Sequence, residues 1–265
     1  MRTAVFVPIF DELADPRLMA DLAVLAEEQG WDGFFIWDHL QYRPPVQSAM
    51  DPWVAMAAIA CRTERLLLGP MVTPVARRRP AKLAREIATL DHLSNGRLVF
   101  GAGLGGDGAR ELSAFGDEPD ARRRAGQLDE GLDVLQALLS GEEVTHHGEH
   151  YTVDGVRFLP RPVNGTVPFW LAARWPNKAP VRRAARYDGL FPIELKDPDQ
   201  LRELLAVVAE HRTTGDPFDV AVQGDPTDDI APWRAAGATW WLTRFRHTVG
   251  AAEVRSVIAA GPPPV

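Results

Sequence analysis

Two groups of residues have the types and spacing for chemistry. The first is Asp38-His39, which follows the apolar run Gly33–Trp37. A histidine exchanges protons near neutral pH, and a neighbouring carboxylate can hold its ring or accept a hydrogen bond from a cofactor. A purely structural alternative is an aspartate that caps the next turn above a packed histidine, with Trp37 as core. The second group is Gly101-x-Gly103-x-x-Gly106, directly after Leu98-Val99-Phe100. Taken alone it matches a dinucleotide fingerprint, in which glycines bring backbone close to a phosphate at a helix start. The motif runs on into Asp107-Gly108 and Ala114-Phe115-Gly116-Asp117, a loop where that fingerprint needs a helix. The glycines therefore mark a close backbone approach whose partner depends on the fold.

Other groupings carry less. His146, His147 and His150 lie in an alternating stretch with no cysteine or acidic HExxH helix beside them, so a surface strand is the better reading than zinc and no metal is expected. His92 and His211 fall on helices. No GxSxG, Walker loop or SxxK is present, which leaves nucleophilic and phosphoryl-transfer chemistry without an anchor. Arg77-Arg78-Arg79 reads as a solvated loop ahead of a helix, with phosphate binding as the alternative.

The elements that must position these residues alternate. Apolar runs at Thr3–Val7, Gly33–Trp37, Leu66–Val72, Leu98–Phe100, Val167–Ala172, Gly189–Phe191, Phe218–Val222 and Thr239–Thr243 read as strands. Helical stripes separate them, opened by Asp15-Pro16 and Asp51-Pro52 caps and stopped by Gly30 and Asn95-Gly96. Further helices are expected near 123–139, 178–187, 198–212, 228–236 and 251–260, and Val144–Phe158 reads as a hairpin inserted between the fourth helix and fifth strand. Strands that are continuously apolar belong to a parallel sheet covered by helices. Eight such units in 265 residues match an α/β fold, a single (β/α)8 TIM barrel of about 250 residues, read as one domain over 1–265. In a barrel, the residues just past each strand share the C-terminal mouth.

A net charge of −7 argues against nucleic-acid and membrane partners, and one cysteine, Cys61, fits a cytoplasmic chain without disulfides. Between Arg2 and Asp11 the apolar run is too short for a signal or membrane segment.

The segments GWDGFFIWDHL (30–40), DPWVAMAAIACRTERLLLGPMVTPVARRRPAKLAREIATLDHLSNGRLVFGAGLG (51–105), RRRAGQLDEGLDVLQALLSGEEVTHHGEHYTV (122–153) and RRAARYDGLFP (182–192) resemble the luciferase-like (LLM class) flavin-dependent oxidoreductases. That resemblance implies a barrel of the same type and one of two cofactors: the deazaflavin coenzyme F420, or FMN supplied to a monooxygenase by a partner reductase. The Asp-His pair is more similar to the F420 branch. By position, it implies that Asp38 contacts the deazaflavin and that His39 donates a proton or stabilises substrate. It further implies a non-proline cis peptide behind the ring at Pro70-Met71, a cofactor contact at Thr73, and backbone along the cofactor side chain at Gly103, Leu104 and Gly105.

Two positions depart from the family pattern. Gly106 stands where sugar-phosphate dehydrogenases carry a catalytic glutamate, which argues against that activity. Arg174-Trp175 replaces a diglycine that approaches the cofactor phosphate, so that either Trp175 blocks the usual path or Arg174, aided by Lys178, binds phosphate by charge. The implied function is hydride transfer between F420 and a small organic substrate. An FMN-dependent monooxygenase and a non-catalytic flavin-binding barrel are the alternatives. A homodimer and a flavin or F420 reductase as cofactor supplier follow from the resemblance alone.

Overall fold

The computed structural model describes residues 1–264. Strand β1 (Arg2–Val7) leads through a short 3-10 turn to α1 (Pro16–Glu28), then β2 (Gly33–Ile36), α2 (Pro52–Arg62) and β3 (Leu67–Pro70). A two-residue strand β4 (Thr73–Pro74), a second 3-10 turn (Val75–Arg77) and α3 (Pro80–Leu93) follow. Next come β5 (Phe100–Gly103), α4 (Ala121–Leu139) and an antiparallel hairpin of β6 (Glu143–His147) with β7 (Thr152–Arg157). The chain ends through β8 (Phe169–Arg174), α5 (Lys178–Ala184), β9 (Gly189–Ile193), α6 (Pro198–His211), β10 (Asp219–Gly224), α7 (Ala231–Ala235), β11 (Trp240–Arg244) and α8 (Ala251–Ala259).

All strands outside the hairpin join one parallel sheet in the order β3-β2-β1-β11-β10-β9-β8-β5-β4. Its two ends meet where Leu68 bridges Leu98, with Val99 N–H donating to the Leu68 carbonyl at 2.9 Å, so the sheet closes on itself as a (β/α)8 barrel. The closure is braced by Arg97, whose buried guanidinium donates to the carbonyls of Ala60, Thr63 and Leu66. A buried cation surrounded by carbonyls retains hydrogen bonds in exchange for those it loses with water.

Local sequence explains the entry to five of the helices. Asp15, Asp51, Asp120, Asn177 and Asp197 all accept helix N–H groups through their side chains, and Pro16, Pro52 and Pro198 occupy first-turn positions that need no N–H. Along β1 the side chains split by face. Ala4 and Phe6 point into the barrel beside Phe35, Trp170, Trp240 and Leu242, while Val5 and Val7 face the helix layer. The barrel interior is thus plugged low down by large aromatic rings, Trp170 and Trp240 lying 5.4 Å apart between centroids. The open space lies above them.

The expected hairpin insertion lies between α4 and β8. Other boundaries shift. The fourth expected strand, Leu98–Phe100, instead forms as Phe100–Gly103 and carries two of the motif glycines inside the sheet. Gly101 sits there because a Cβ would lie 2.1 Å from the Pro70 carbonyl oxygen, and one on Gly103 would meet Val72 at 2.5 Å. Their close approach is to the neighbouring strand. The helices expected over 178–187 and 228–236 are shorter, α5 ending at Ala184 and α7 starting at Ala231. No helix among the described residues is long and apolar enough to cross a membrane.

Candidate functional site

At the C-terminal ends of the strands lies a cavity of about 750 Å3. Its floor and walls are apolar, from Phe6, Trp37, Met71, Val72, Ala172 and Phe191, and its polar edge is set by Asp38, His39, Glu111, Gln223 and a rim of arginines. That size and mixture suit a small-molecule or cofactor site.

The polar edge is built from two loops clamped together. Asp107 accepts the N–H groups of Leu112 and Ser113 and folds the stretch after β5 into a compact turn. Gln41 Nε2 then donates to the Ala109 carbonyl at 2.8 Å, docking that turn onto the segment after β2. The result delivers Glu111 beneath His39. His39 Nδ1 and Glu111 Oε2 are 2.7 Å apart, and Glu111 Oε1 accepts from the Leu40 N–H at 2.8 Å and from Arg77 Nη1 at 3.0 Å. Burial pushes the Glu111 carboxyl up, but the bond to His39, the Leu40 N–H and the Arg77 charge together hold its pKa below the ordinary value. Oε1 is thus filled by two fixed donors, and Oε2 faces the His39 ring. Among the described residues His39 Nε2 has no hydrogen-bond partner, and its ring packs against Phe10, Trp37 and Tyr42 on the cavity wall.

Asp38 is arranged differently from its neighbour. Its carboxylate accepts from Thr73 Oγ1 at 2.7 Å, Trp53 Nε1 at 3.3 Å, Arg77 Nη2 at 2.7 Å and Arg78 Nη2 at 3.0 Å. Both oxygens are occupied by the chain itself. Asp38 borders the cavity, yet its role in the structure is to neutralise Arg77 and Arg78. The arginine run consequently departs from its expected solvated loop. Arg77 is 4% exposed and Arg78 is 18%, and only Arg79 faces solvent.

The other sequence candidates divide. Met71, Leu104, Gly105 and Arg174 line the cavity with Asp38 and His39. Gly105 has φ +72°, and a Cβ there would press on Pro74 at 2.8 Å, so that backbone turn needs a glycine. Gly106 also lines the cavity and has open space where a side chain would be. Pro70, Thr73 and Gly103 lie behind the wall as buried sheet residues. The non-proline cis peptide is Met71–Val72, one residue beyond the Pro70-Met71 position expected, and both of its residues face the cavity. Trp175 packs against the helix-side core and does not line the cavity, so it leaves the opening clear; Lys178 is exposed at the start of α5. At the rim Arg174 pairs with Glu194 and Arg244 with Asp225, while Arg183 is held by Asp129 on α4.

His146 fastens the hairpin to α4: its Nε2 lies 2.9 Å from Glu130 Oε1, and the backbone N–H groups of His150 and Tyr151 donate to the same carboxylate. Sequence reasoning missed Glu111, Arg77, Tyr42 and His247. The only signal for Glu111 was its position five residues after the glycine turn, in a stretch that reads simply as loop.

For a flat tricyclic cofactor the donor set fits. The apolar walls offer ring contact, Gly105 and Gly106 leave room along one edge, Arg174 provides positive charge at the opening, and Trp37 holds a buried indole N–H with no partner among the described residues. Fold and cleft together define a (β/α)8 barrel protein with an open cavity at its C-terminal mouth, the face where such barrels carry their sites.

The chain belongs to the luciferase-like monooxygenase family, whose model matches residues 1–228. It is 36% identical over 195 residues to an F420-dependent glucose-6-phosphate dehydrogenase of Nakamurella multipartita, an alignment covering 72% of this chain and 56% of that protein. A protein of the same description from Microbacterium testaceum is 35% identical over 199 residues, with 72% and 56% covered. The chain thus spans just over half the length of these curated relatives. Among solved structures, an F420-dependent secondary alcohol dehydrogenase in complex with an F420-acetone adduct superposes with a TM-score of 0.81 at 18% identity, covering 97% of this chain and 96% of that one. A monooxygenase from Streptomyces bottropensis superposes with a TM-score of 0.79 at 19% identity, with 97% and 96% covered. At that identity the likeness establishes the fold.

Proposed function

We propose that this chain is an F420-dependent oxidoreductase that moves a hydride between coenzyme F420 and a small organic substrate. The observation that carries the proposal is His39. Its Nδ1 is tied to Glu111, its Nε2 has no partner among the described residues, and its ring stands on the wall of an apolar cavity in a chain whose aligned relatives are F420-dependent dehydrogenases. When bound, the deazaflavin supplies the hydride acceptor or donor, chemistry that no side chain here can provide.

The residues of the chain do the rest. Phe6, Trp37, Met71, Val72 and Ala172 would give a dry surface for the ring, Leu104 and Gly105 would present backbone along the cofactor side chain, and Arg174 would meet its anionic portion at the opening. His39 Nε2 holds the proton that leaves or joins the substrate oxygen as the carbon beside it is oxidised or reduced. Asp38, which borders the cavity, also supports the site by holding Arg77 and Arg78. The sugar-phosphate substrates named for the relatives are not carried over, because Gly106 supplies no acid at its position.

Fluorescence titration of the purified chain with F420 and with FMN tests the reading. Saturable F420 binding with weak or no FMN binding is expected. Tight FMN binding with indifference to F420 would overturn it in favour of a flavin-dependent monooxygenase.

A further inference from the structure

We infer that Glu111 is a positioning residue that fixes His39 as its Nδ1–H tautomer, and that Arg77 and the Leu40 N–H fix which way Glu111 itself must be read. Glu111 Oε1 receives two hydrogen bonds, from Arg77 Nη1 and from the Leu40 N–H. A guanidinium and a backbone N–H have no acceptor face, so neither bond can be reversed. The remaining oxygen, Oε2, sits 2.7 Å from His39 Nδ1. A carboxylate can only accept there, so Nδ1 must carry the hydrogen, and in the neutral ring Nε2 is left as a lone pair. Nε2 is thereby set to take a proton, and to return it once the ring is charged.

Among the described residues His39 has no competing partner. The charged and titratable groups that face it are Glu111 from the loop after β5, Arg77 from the turn before α3, Asp38 beside it on the loop after β2, and Tyr42, against which His247 packs at 5.1 Å from the loop after β11. Arg77 bridges the two carboxylates, 2.7 Å from Asp38 and 3.0 Å from Glu111, so Glu111 is held against rotation by a side chain that is itself anchored.

This arrangement makes a sharp prediction for Glu111→Gln, a change that keeps shape and size. The amide oxygen has to stay with the two fixed donors at the Oε1 position. The amide NH2 then falls at the Oε2 position and faces Nδ1, which must become the acceptor. The neutral ring is forced into the Nε2–H tautomer, and a base becomes a donor with no atom moved.

The test is 15N-histidine NMR of the full chain followed over a pH series and read for the neutral form of the ring, with the His39 signal assigned by its loss in His39→Gln. The wild-type ring is expected as Nδ1–H, Glu111→Gln as Nε2–H, and Glu111→Asp as Nδ1–H again. A wild-type ring found as Nε2–H overturns the inference without any variant having to fold, and so does an unchanged Nδ1–H ring in a folded Glu111→Gln chain. The consequence for turnover rests on the proposed F420 reading: kcat in Glu111→Gln falls by roughly 10²–10⁴-fold, the range of a lost general base, with F420 affinity retained. Failure to bind F420 alongside the expected tautomer switch would reject the cofactor reading and keep this one.

Discussion

Arg77 Nη2 lies 2.7 Å from Asp38 Oδ1, with the two side chains 4% and 1% exposed. Such a pair is held away from water, so removing one member leaves buried charge under-compensated. Asp38→Ala leaves Arg77 with Glu111 and Arg78 with the more distant Glu86, and about 3 kcal/mol of stability should be lost. An exposed pair gives the control. Arg62 and Asp21 are 3.1 Å apart but about half exposed, and Asp21→Ala should cost under about 1 kcal/mol. Urea unfolding of both variants separates the two cases, and equal losses would show that the Asp38 cluster is not the buried network described.

Gly101 and Gly106 belong to one sequence motif but should respond oppositely to alanine. At Gly101 the added Cβ meets the Pro70 carbonyl oxygen at 2.1 Å and Met71 Sδ at 2.8 Å; the first is backbone and cannot turn aside. Overpacking of this kind costs about 1–3 kcal/mol or more, and the strain falls on the cavity wall. At Gly106 nothing lies within 4 Å of the new atom, and stability should stay within about 0.5 kcal/mol. Thermal melts of Gly101→Ala and Gly106→Ala decide this, and a well-folded Gly101→Ala chain with an unshifted Tm would refute the close strand approach.

That pair also shows what the sequence could and could not convey. The alternation of apolar runs with capped helices was legible because proline and aspartate at a helix start and leucine stripes act locally, within a few residues. The strand-end rule then brought out Asp38, His39, Leu104 and Gly105. The identity of the atom that each glycine approaches was not legible, since Gly101 answers to Pro70 in a neighbouring strand. Arg77 escaped for the same reason. A run of three arginines reads as solvated, and its burial depends on Asp38 and Glu111, which lie 39 and 34 residues away in the chain. Glu111 sits in a loop without periodicity, and only the Asp107 turn and the Gln41 bridge deliver it to His39.

The acid limb of stability should carry the mark of Glu111. Burial raises its pKa, but the bond from His39, the Leu40 N–H and Arg77 outweigh that and leave the folded value below the reference of 4.5. A carboxylate with a depressed folded pKa stabilises the fold above its unfolded pKa. That contribution is lost as pH falls through the folded value. The stability gap between wild type and Glu111→Gln should therefore be full at neutral pH and shrink as the pH drops below about 4.5. Denaturation curves at stepped pH measure it, and a gap that stays constant into acid would mean that Glu111 is not ionised in the folded chain.

Arg174 at the end of β8 and Glu194 just past the end of β9 form an ion pair at the rim, with side chains 63% and 61% exposed. Exposed pairs contribute little to stability, so Arg174→Ala should change unfolding free energy by less than about 1 kcal/mol. Its effect belongs to binding. Both residues line the opening of the cavity, and an anionic group arriving there competes with Glu194 for the same guanidinium. Under the F420 reading, Arg174→Ala should weaken F420 binding and flatten its dependence on salt, since a solvent-facing attraction is screened within about 10 Å at 0.1 M. Glu194→Gln should act in the opposite sense, freeing Arg174 and tightening binding, most visibly at low salt. Fluorescence titrations of both variants at low and high ionic strength provide the comparison. If Glu194→Gln weakens F420 binding as much as Arg174→Ala does, the pair acts as a structural clasp on the mouth and Arg174 is not the anion contact.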